Sequence, residues 1–349
     1  MGPELVIYGS YGYTGRLVVA EAIARGHRPL LAGRDPARLG AQATEAGLPH
    51  TVVDLGDPEA LRRLLSPAVV ALHCAGPFVH TSRPLVDACL ATGTHYLDIT
   101  GEIAVFEQVA ARDGDARAAD VVLMPGVGFD VVPSDSLAAH LKRALPDAVA
   151  LELAIRGGGR LSRGTATTMV ENIGAGGAVR RDGHIKRVSA GWRSRMVDFG
   201  DGPTLAVTIP WGDVSTAWHT TGIPDITVYA ASSRKQLRLL RASNWLAPLL
   251  RTGPVQRYLK KRVDAAAPGP SDDSRGRTTS DVWGEARSAD GRSAQAVIRG
   301  PNGYTLTALT SVRIAEVVAA GGVAPGFHTP AGALGPDFVL SVPGISRSG

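Results

Sequence analysis

Cysteine is nearly absent. Two residues, Cys74 and Cys89, in 349 cannot build a disulfide framework and read as small buried apolar groups in a reducing compartment. No run of 18 apolar residues occurs, so no membrane-spanning helix is expected. The start, Met1-Gly2-Pro3-Glu4, lacks the basic residues and apolar core of a signal peptide and leads straight into a predicted strand. Val6 breaks the myristoylation pattern. Lysine is scarce too: 32 of the 37 basic residues are Arg. With abundant Ala and Gly, that skew reflects a GC-rich genome, so Arg content alone does not argue for anion binding. No His/Cys/Asp/Glu spacing fits a metal site, and no G-x-S-x-G nucleophile elbow is present.

What is there is an alternation of short apolar runs with helical stretches over residues 1–135. Strands are expected at 5–8, 28–32, 50–54, 68–74, 95–98 and 121–124. Helices are expected at 15–25, 35–46, 57–65, 83–92 and 105–119, two of them opened by Asp-Pro. Repeated βα units imply parallel strands with right-handed crossovers. The fold class expected is α/β: an N-terminal Rossmann doubly wound parallel sheet with a second α+β domain built on a mostly antiparallel sheet. The first domain covers 1–135 and is completed by 300–349. The second, for substrate or dimerisation, covers 136–300. In it, helices are expected at 134–145, 163–176 and 234–262, strands at 148–156 and within 184–232, and a linker at 265–280. Further on, 280–285, 294–299 and 304–309 read as strands and 311–320 as a helix.

The strongest motif is Gly9-Ser10-Tyr11-Gly12-Tyr13-Thr14-Gly15, placed between the first strand and the first helix. Gly9 permits a tight turn, Gly12 lets backbone approach a pyrophosphate, and Gly15 lets helix and strand pack closely. The helix start then offers free N–H groups to phosphate. A dinucleotide is the expected ligand. NAD binders usually carry an acid after the second strand. Here that strand ends Leu31-Ala32-Gly33-Arg34, with Arg38 one turn on. A guanidinium clamps a 2′-phosphate, so NADP(H) is expected over NAD. Asp35, the competing acid, reads as a helix N-cap. Asp54 is placed beside the adenine. Ala75, Gly76, Pro77 and Phe78, after the fourth strand, are placed along the nicotinamide ribose.

These segments, with Tyr96-Leu97-Asp98-Ile99-Thr100-Gly101-Glu102 and Pro125-Gly126-Val127-Gly128-Phe129-Asp130-Val131-Val132-Pro133-Ser134-Asp135, resemble the saccharopine dehydrogenase-like oxidoreductases. Within that group the chain is most similar to bacterial trans-acting enoyl reductases. The resemblance extends through Ser162–Thr165, Ser215-Thr216, Thr221–Pro224, Gly303–Leu306 and Gly326–Ala331. It implies an NADPH-dependent reductase; the named subgroup reduces a double bond in a lipid or polyketide chain made by a separate synthase. The founding saccharopine enzymes instead oxidise a secondary amine to an imine. A cluster of basic residues fit to hold two amino-acid carboxylates is not seen here.

Hydride transfer needs geometry plus a proton donor or an electrostatic partner. Tyr96, Asp98, Glu102 and Asp130, beyond strands five and six, are the candidates. Each has a plain structural alternative. Tyr96 reads equally as core, Asp98 as a turn cap, Glu102 as a helix-start charge, and Asp130 as a support of its own loop. His80 reads as surface, and Tyr304 is a further group from the C-terminal segment.

Residues 234–262 carry nine basic residues and no acid, with Leu237, Leu239, Leu240, Trp245, Leu246, Leu249, Leu250 and Tyr258 interleaved. That is +9 against +5 for the chain, leaving the remainder net negative. The readings are a membrane surface, an acidic carrier protein, or a solvated helix covering the second domain. No nucleic-acid motif accompanies the charge. The competing functions are a C=C reductase of a hydrophobic or carrier-bound substrate, a C=N or C=O reductase of a small molecule, and a non-catalytic dinucleotide sensor. The expected location is the cytoplasm or the periphery of a membrane, and oligomers are allowed.

Overall fold

The computed structural model describes residues 4–349, so the reading of Met1-Gly2-Pro3 lies outside the described residues. The chain divides into two compact units. One runs through Val132 and takes up Tyr304–Ala333; the other comprises Pro133–Gly303 and Leu334–Gly349. The last 50 residues were expected to return together to the first domain, but they split between the units.

The first unit is a seven-stranded parallel sheet. Its strands are β1 (Leu5–Tyr8), β2 (Leu30–Gly33), β3 (His50–Val52), β4 (Val70–His73), β5 (His95–Asp98) and β6 (Val122–Met124). A short strand at Gly326–Phe327, returning from the C-terminal segment, pairs with β6. The order is Gly326–Phe327, β6, β5, β4, β1, β2, β3. The chain therefore reverses its winding between β1 and β4, and the crevice beyond those strand ends is where such sheets bind ligands. Helices α1 (Tyr13–Ala24), α2 (Pro36–Ala46), α3 (Pro58–Leu65) and α4 (Phe78–Thr92) follow β1 to β4. The Asp-Pro signals are N-caps: Asp35 accepts from Arg38 N–H and Asp57 from Ala60 N–H. Gly47 and Gly93 close α2 and α4 in the left-handed region. The expected helix at 105–119 is two, α5 (Ile103–Ala110) and α6 (Asp113–Ala118), broken at Ala111-Arg112.

The second unit holds a nine-stranded sheet. Its main path is Ser194–Asp198, Pro203–Thr208, Asp225–Ala231, Ala148–Gly157, Thr279–Ser288, Ser293–Pro301 and Ser346–Ser348. Neighbours are antiparallel except Asp225–Ala231 with Ala148–Gly157. The Val132–Ala144 helix packs on this sheet: a Cβ on Gly284 would lie 2.8 Å from Leu141 Cδ1 and 3.0 Å from Leu137 Cδ2.

Three local expectations fail. Residues 304–309, rich in Thr, Tyr and Leu, begin a helix, Gly303–Ala319, not a strand. Its buried residues Leu306, Thr310, Ile314 and Val318 recur every four positions, so helical period overrides β propensity. A helix at Asp213–Thr221 interrupts the strands of 184–232. It buries Val214, Ala217 and Thr221 and is closed by Gly222 at φ +68°. The linker at 265–280 contains a short helix, Asp272–Arg277, capped by Ser271.

Candidate cofactor and active site

The loop after β1 owes its shape to glycine. Gly9 has φ +79°, and a Cβ there would sit 2.6 Å from Ala75 Cβ and 2.8 Å from Ala75 N. The turns after β1 and β4 therefore touch, and only hydrogen fits between them. A Cβ on Gly15 would lie 2.4 Å from Gly9 O, so α1 starts directly against the turn. At Gly12, the N-cap, a Cβ would meet only Gly9 O, at 3.2 Å. No side chain caps α1. The first turn of a helix has N–H groups without helical acceptors, and this one presents them beside a glycine floor at the switch point. That is a cradle fit for a pyrophosphate.

The other loop residues divide into those inside and those at the rim. Ser10 is fully buried; its hydroxyl donates to Gln42 Oε1 (2.8 Å), and Gln42 Nε2 donates back to Ser10 O (3.0 Å). Ser10 thus ties the turn to α2, and its partner Gln42 was missed in the sequence. The signal for it was a polar residue three positions after the buried Leu39 on α2. Tyr11 reaches across to the end of β2. Its hydroxyl accepts from Asp35 N–H (3.3 Å), its ring is what a Cβ on Gly33 would strike, and Arg38 stacks on it at 4.7 Å from the centroid. Tyr13 meets Tyr304 edge to face at 5.1 Å. This contact brings the Gly303–Ala319 helix to the loop, while Thr14 lies half-buried in the first turn of α1.

Beyond β2, Arg34 is exposed and makes no ion pair among the described residues. Asp35, the neighbouring acid, accepts from Arg38 N–H at 3.1 Å as the cap of α2. Asp54 is exposed, with one carboxylate oxygen accepting from Gly56 N–H (2.8 Å). Both Asp54 and Arg34 act on Tyr8, whose hydroxyl is pushed up chiefly by burial, then by Asp54, against the pull of Arg34. The ends of β1, β2 and β3 thus gather the unpaired Arg34 guanidinium, the Asp35 carboxylate engaged as a helix cap, and the exposed Asp54 carboxylate bonded to Gly56 N–H. This chemistry fits a 2′-phosphate.

After β4, the Gly76–Pro77 bond is cis, and Phe78 opens α4. The Glu102 carboxylate caps α4 from 24 residues away, accepting from Phe78 N–H (2.8 Å) and Val79 N–H (2.9 Å). Glu102 is the N-cap residue of α5 by backbone, yet its charge serves another helix. Thr81 donates to Ala75 O (2.7 Å) and lies 3.0 Å from His73 Nε2. His73 is buried, and burial pushes its pKa down to about 3. It was missed in the sequence; the one signal was a polar residue ending the apolar run Val70–Leu72.

Tyr96 and Asp98 are both fully buried. Asp98 accepts from Tyr96 Oη (2.8 Å), Thr100 N (2.9 Å) and Gly126 N (2.9 Å). Burial pushes its carboxyl up to about 6 against those three donors. This pair locks the loops after β5 and β6 together. Asp130 is placed differently. Its side chain lies over Gly101, where a Cβ would come 2.7 Å from Oδ2. Burial pushes its carboxyl up to about 7. The loop carrying it is braced by Thr307, which accepts from Phe129 N–H at 3.0 Å. Exposed His80 lies in the first turn of α4.

The shift at Asp130 has a consequence for stability. Folding favours its protonated form, so the stabilisation is complete below about pH 4 and is lost as pH rises through about 7. Asp130→Asn is therefore expected to melt with the wild type near pH 4 and to be more stable by roughly 2–4 kcal/mol at pH 8. Parallel melting curves across that range would contradict the assignment.

Among the described residues no cluster of His, Cys, Asp and Glu could hold a metal, and no helix is long and apolar enough to cross a membrane. Burial pushes both cysteine thiols up, in keeping with unreactive positions.

Comparison with known proteins agrees with this geometry. The profile of the saccharopine dehydrogenase NADP binding domain family matches residues 5–124. A saccharopine dehydrogenase-like oxidoreductase of Arabidopsis thaliana is 34% identical over 149 residues, covering 38% of this chain and 33% of that protein. A trans-acting enoyl reductase of Mycobacterium ulcerans is 36% identical over 154 residues, covering 40% of this chain and 35% of its own. The chain thus spans about a third of the length of these curated relatives. Apo saccharopine dehydrogenase (L-Glu forming) from Saccharomyces cerevisiae shares the fold, with a TM-score of 0.68 over 99% of both chains at 13% identity.

Proposed function

We propose, from the premise that residues 5–124 belong to the saccharopine dehydrogenase NADP binding domain family, that this chain is an NADPH-dependent reductase acting on the C=C bond of a hydrophobic or carrier-bound enoyl substrate. The observation that carries the cofactor half is the free Arg34 guanidinium beyond β2, beside an acid already engaged as a helix cap. Gly9, Gly12 and the α1 N-terminus would hold the pyrophosphate, Arg34 and Arg38 the 2′-phosphate, and the Ala75–Phe78 turn the nicotinamide ribose. When bound, NADPH supplies a hydride. The enoyl half is supported by the similarity to the Mycobacterium ulcerans enzyme.

The chain's own contribution is a proton and a fixed geometry. Of the four candidate groups, we assign the proton to Asp130, whose carboxyl burial pushes up to about 7; Tyr96 and Asp98 bond each other in the core, and Glu102 caps α4. A carboxyl near 7 is populated in both forms at neutral pH, as general acid catalysis requires.

The test is NADPH oxidation, followed at the nicotinamide absorbance, against enoyl thioesters, ketones and imines. Turnover confined to enoyl thioesters supports the proposal. Turnover confined to imines or ketones replaces the substrate class, and tight NADPH binding with no turnover on any of them favours a sensor.

A further inference from the structure

The segment 234–262 folds as two helices, Arg234–Leu250 and Gly253–Asp264, in which no residue is buried. The first is opened by a capping box, Ser233 with Gln236. One stripe of it faces the protein. Leu237, Leu240 and Arg241 border Gly191, Asn244 exchanges hydrogen bonds with the Ala190 backbone, and Ala247 lies on Gly174. The opposite stripe is apolar and uncovered. Leu239, Ala242, Leu246 and Leu249 follow a three- and four-residue spacing, with Trp245 beside them. Trp245 is 88% exposed, Leu239 62%, Leu249 58% and Leu246 52%. Tyr258 on the second helix is 61% exposed.

Cations surround this ridge. Arg234, Lys235 and Arg238 stand at its start; Arg251, Arg257, Lys261 and Arg262 lie beyond its end. None of these seven makes an ion pair among the described residues, whereas Lys260 is held by Glu171 at 2.6 Å and Arg241 donates to Gly191 O at 3.2 Å. We infer that this face is a docking surface for a lipid bilayer carrying anionic headgroups. Apolar groups that stand proud of a helix, ringed by unpaired cations, match an interface that can deform around Trp and Leu while its phosphates meet Arg and Lys. A protein partner instead needs a pocket of its own for so exposed an indole. The inference is independent of the substrate proposed above.

The test is flotation of the full chain with two kinds of vesicle, phosphatidylcholine alone and phosphatidylcholine with about 30% phosphatidylglycerol. The expected result is binding to the anionic vesicles only, weakening as salt rises. Lys235→Gln with Arg238→Gln should lower the partition coefficient about 25-fold, at roughly fivefold per basic residue. Trp245→Ala with Leu249→Ala should lower it about 30-fold. Both pairs are exposed, so melting temperature and NADPH affinity should stay at wild-type values. Absence of flotation, equal binding to neutral vesicles, insensitivity to either pair, or capture of an acidic carrier protein without flotation would each overturn the inference.

Discussion

Gly9→Val is expected to abolish nucleotide binding and to destabilise the first unit. The β-branched side chain would have to adopt φ +79°, which costs a non-glycine residue about 1–2 kcal/mol. Its Cβ would also lie 2.6 and 2.8 Å from side-chain and backbone atoms of Ala75. Backbone cannot yield as a flexible side chain can, so the turns after β1 and β4 must part, at a further ~1–3 kcal/mol. Parting them displaces the α1 N-terminus from the crevice. Thermal melting should show the loss of stability, and NADPH titration should show affinity reduced at least about 100-fold, since the N–H groups proposed to hold the pyrophosphate are displaced. A Gly9→Val protein that binds NADPH as the wild type does would mean that the nucleotide lies elsewhere.

Asp98→Ala is expected to be as damaging to stability for a different reason. The substitution leaves three buried donors, Tyr96 Oη, Thr100 N and Gly126 N, without an acceptor. Each buried donor left unmade costs about 1–3 kcal/mol, partly offset by removing a charge that burial disfavours. A net loss of about 3–5 kcal/mol follows at pH 7. Asp98→Asn keeps one acceptor oxygen but turns an amide N–H toward a donor, so it should recover only part of that loss. Wild-type melting of Asp98→Ala would remove Asp98 from its structural role and return it to the list of groups available for chemistry.

How far the sequence carried these points depends on the range of the interaction. The glycine turn, the Asp-Pro caps and the strands from β1 to β6 rest on neighbours in sequence, and each was legible there. Tyr96 with Asp98 was half legible: residues two apart on a strand share a face, so a contact was foreseeable, but full burial of both was not. Glu102 was illegible as a cap of α4, because its acceptors' partners lie 23 and 24 residues earlier. Gln42 and His73 were missed for the same reason, since their roles are set by Ser10 and Thr81 across the fold. At 304–309, local β propensity pointed to a strand, and the helix is decided by the face that the segment buries. The division of the tail at Leu334 left no mark in composition, because Ser346–Ser348 joins its sheet through backbone pairing with Val297–Arg299.

The central claim is that the crevice beyond β1 and β4 takes NADPH with its 2′-phosphate on Arg34. Calorimetric titration of NADPH and NADH into wild type and Arg34→Ala tests it most directly. The account predicts that wild type prefers NADPH, and that Arg34→Ala loses roughly 1–3 kcal/mol of NADPH affinity with NADH binding unchanged. Equal losses for both nucleotides, or no heat from either with the wild type, would contradict it.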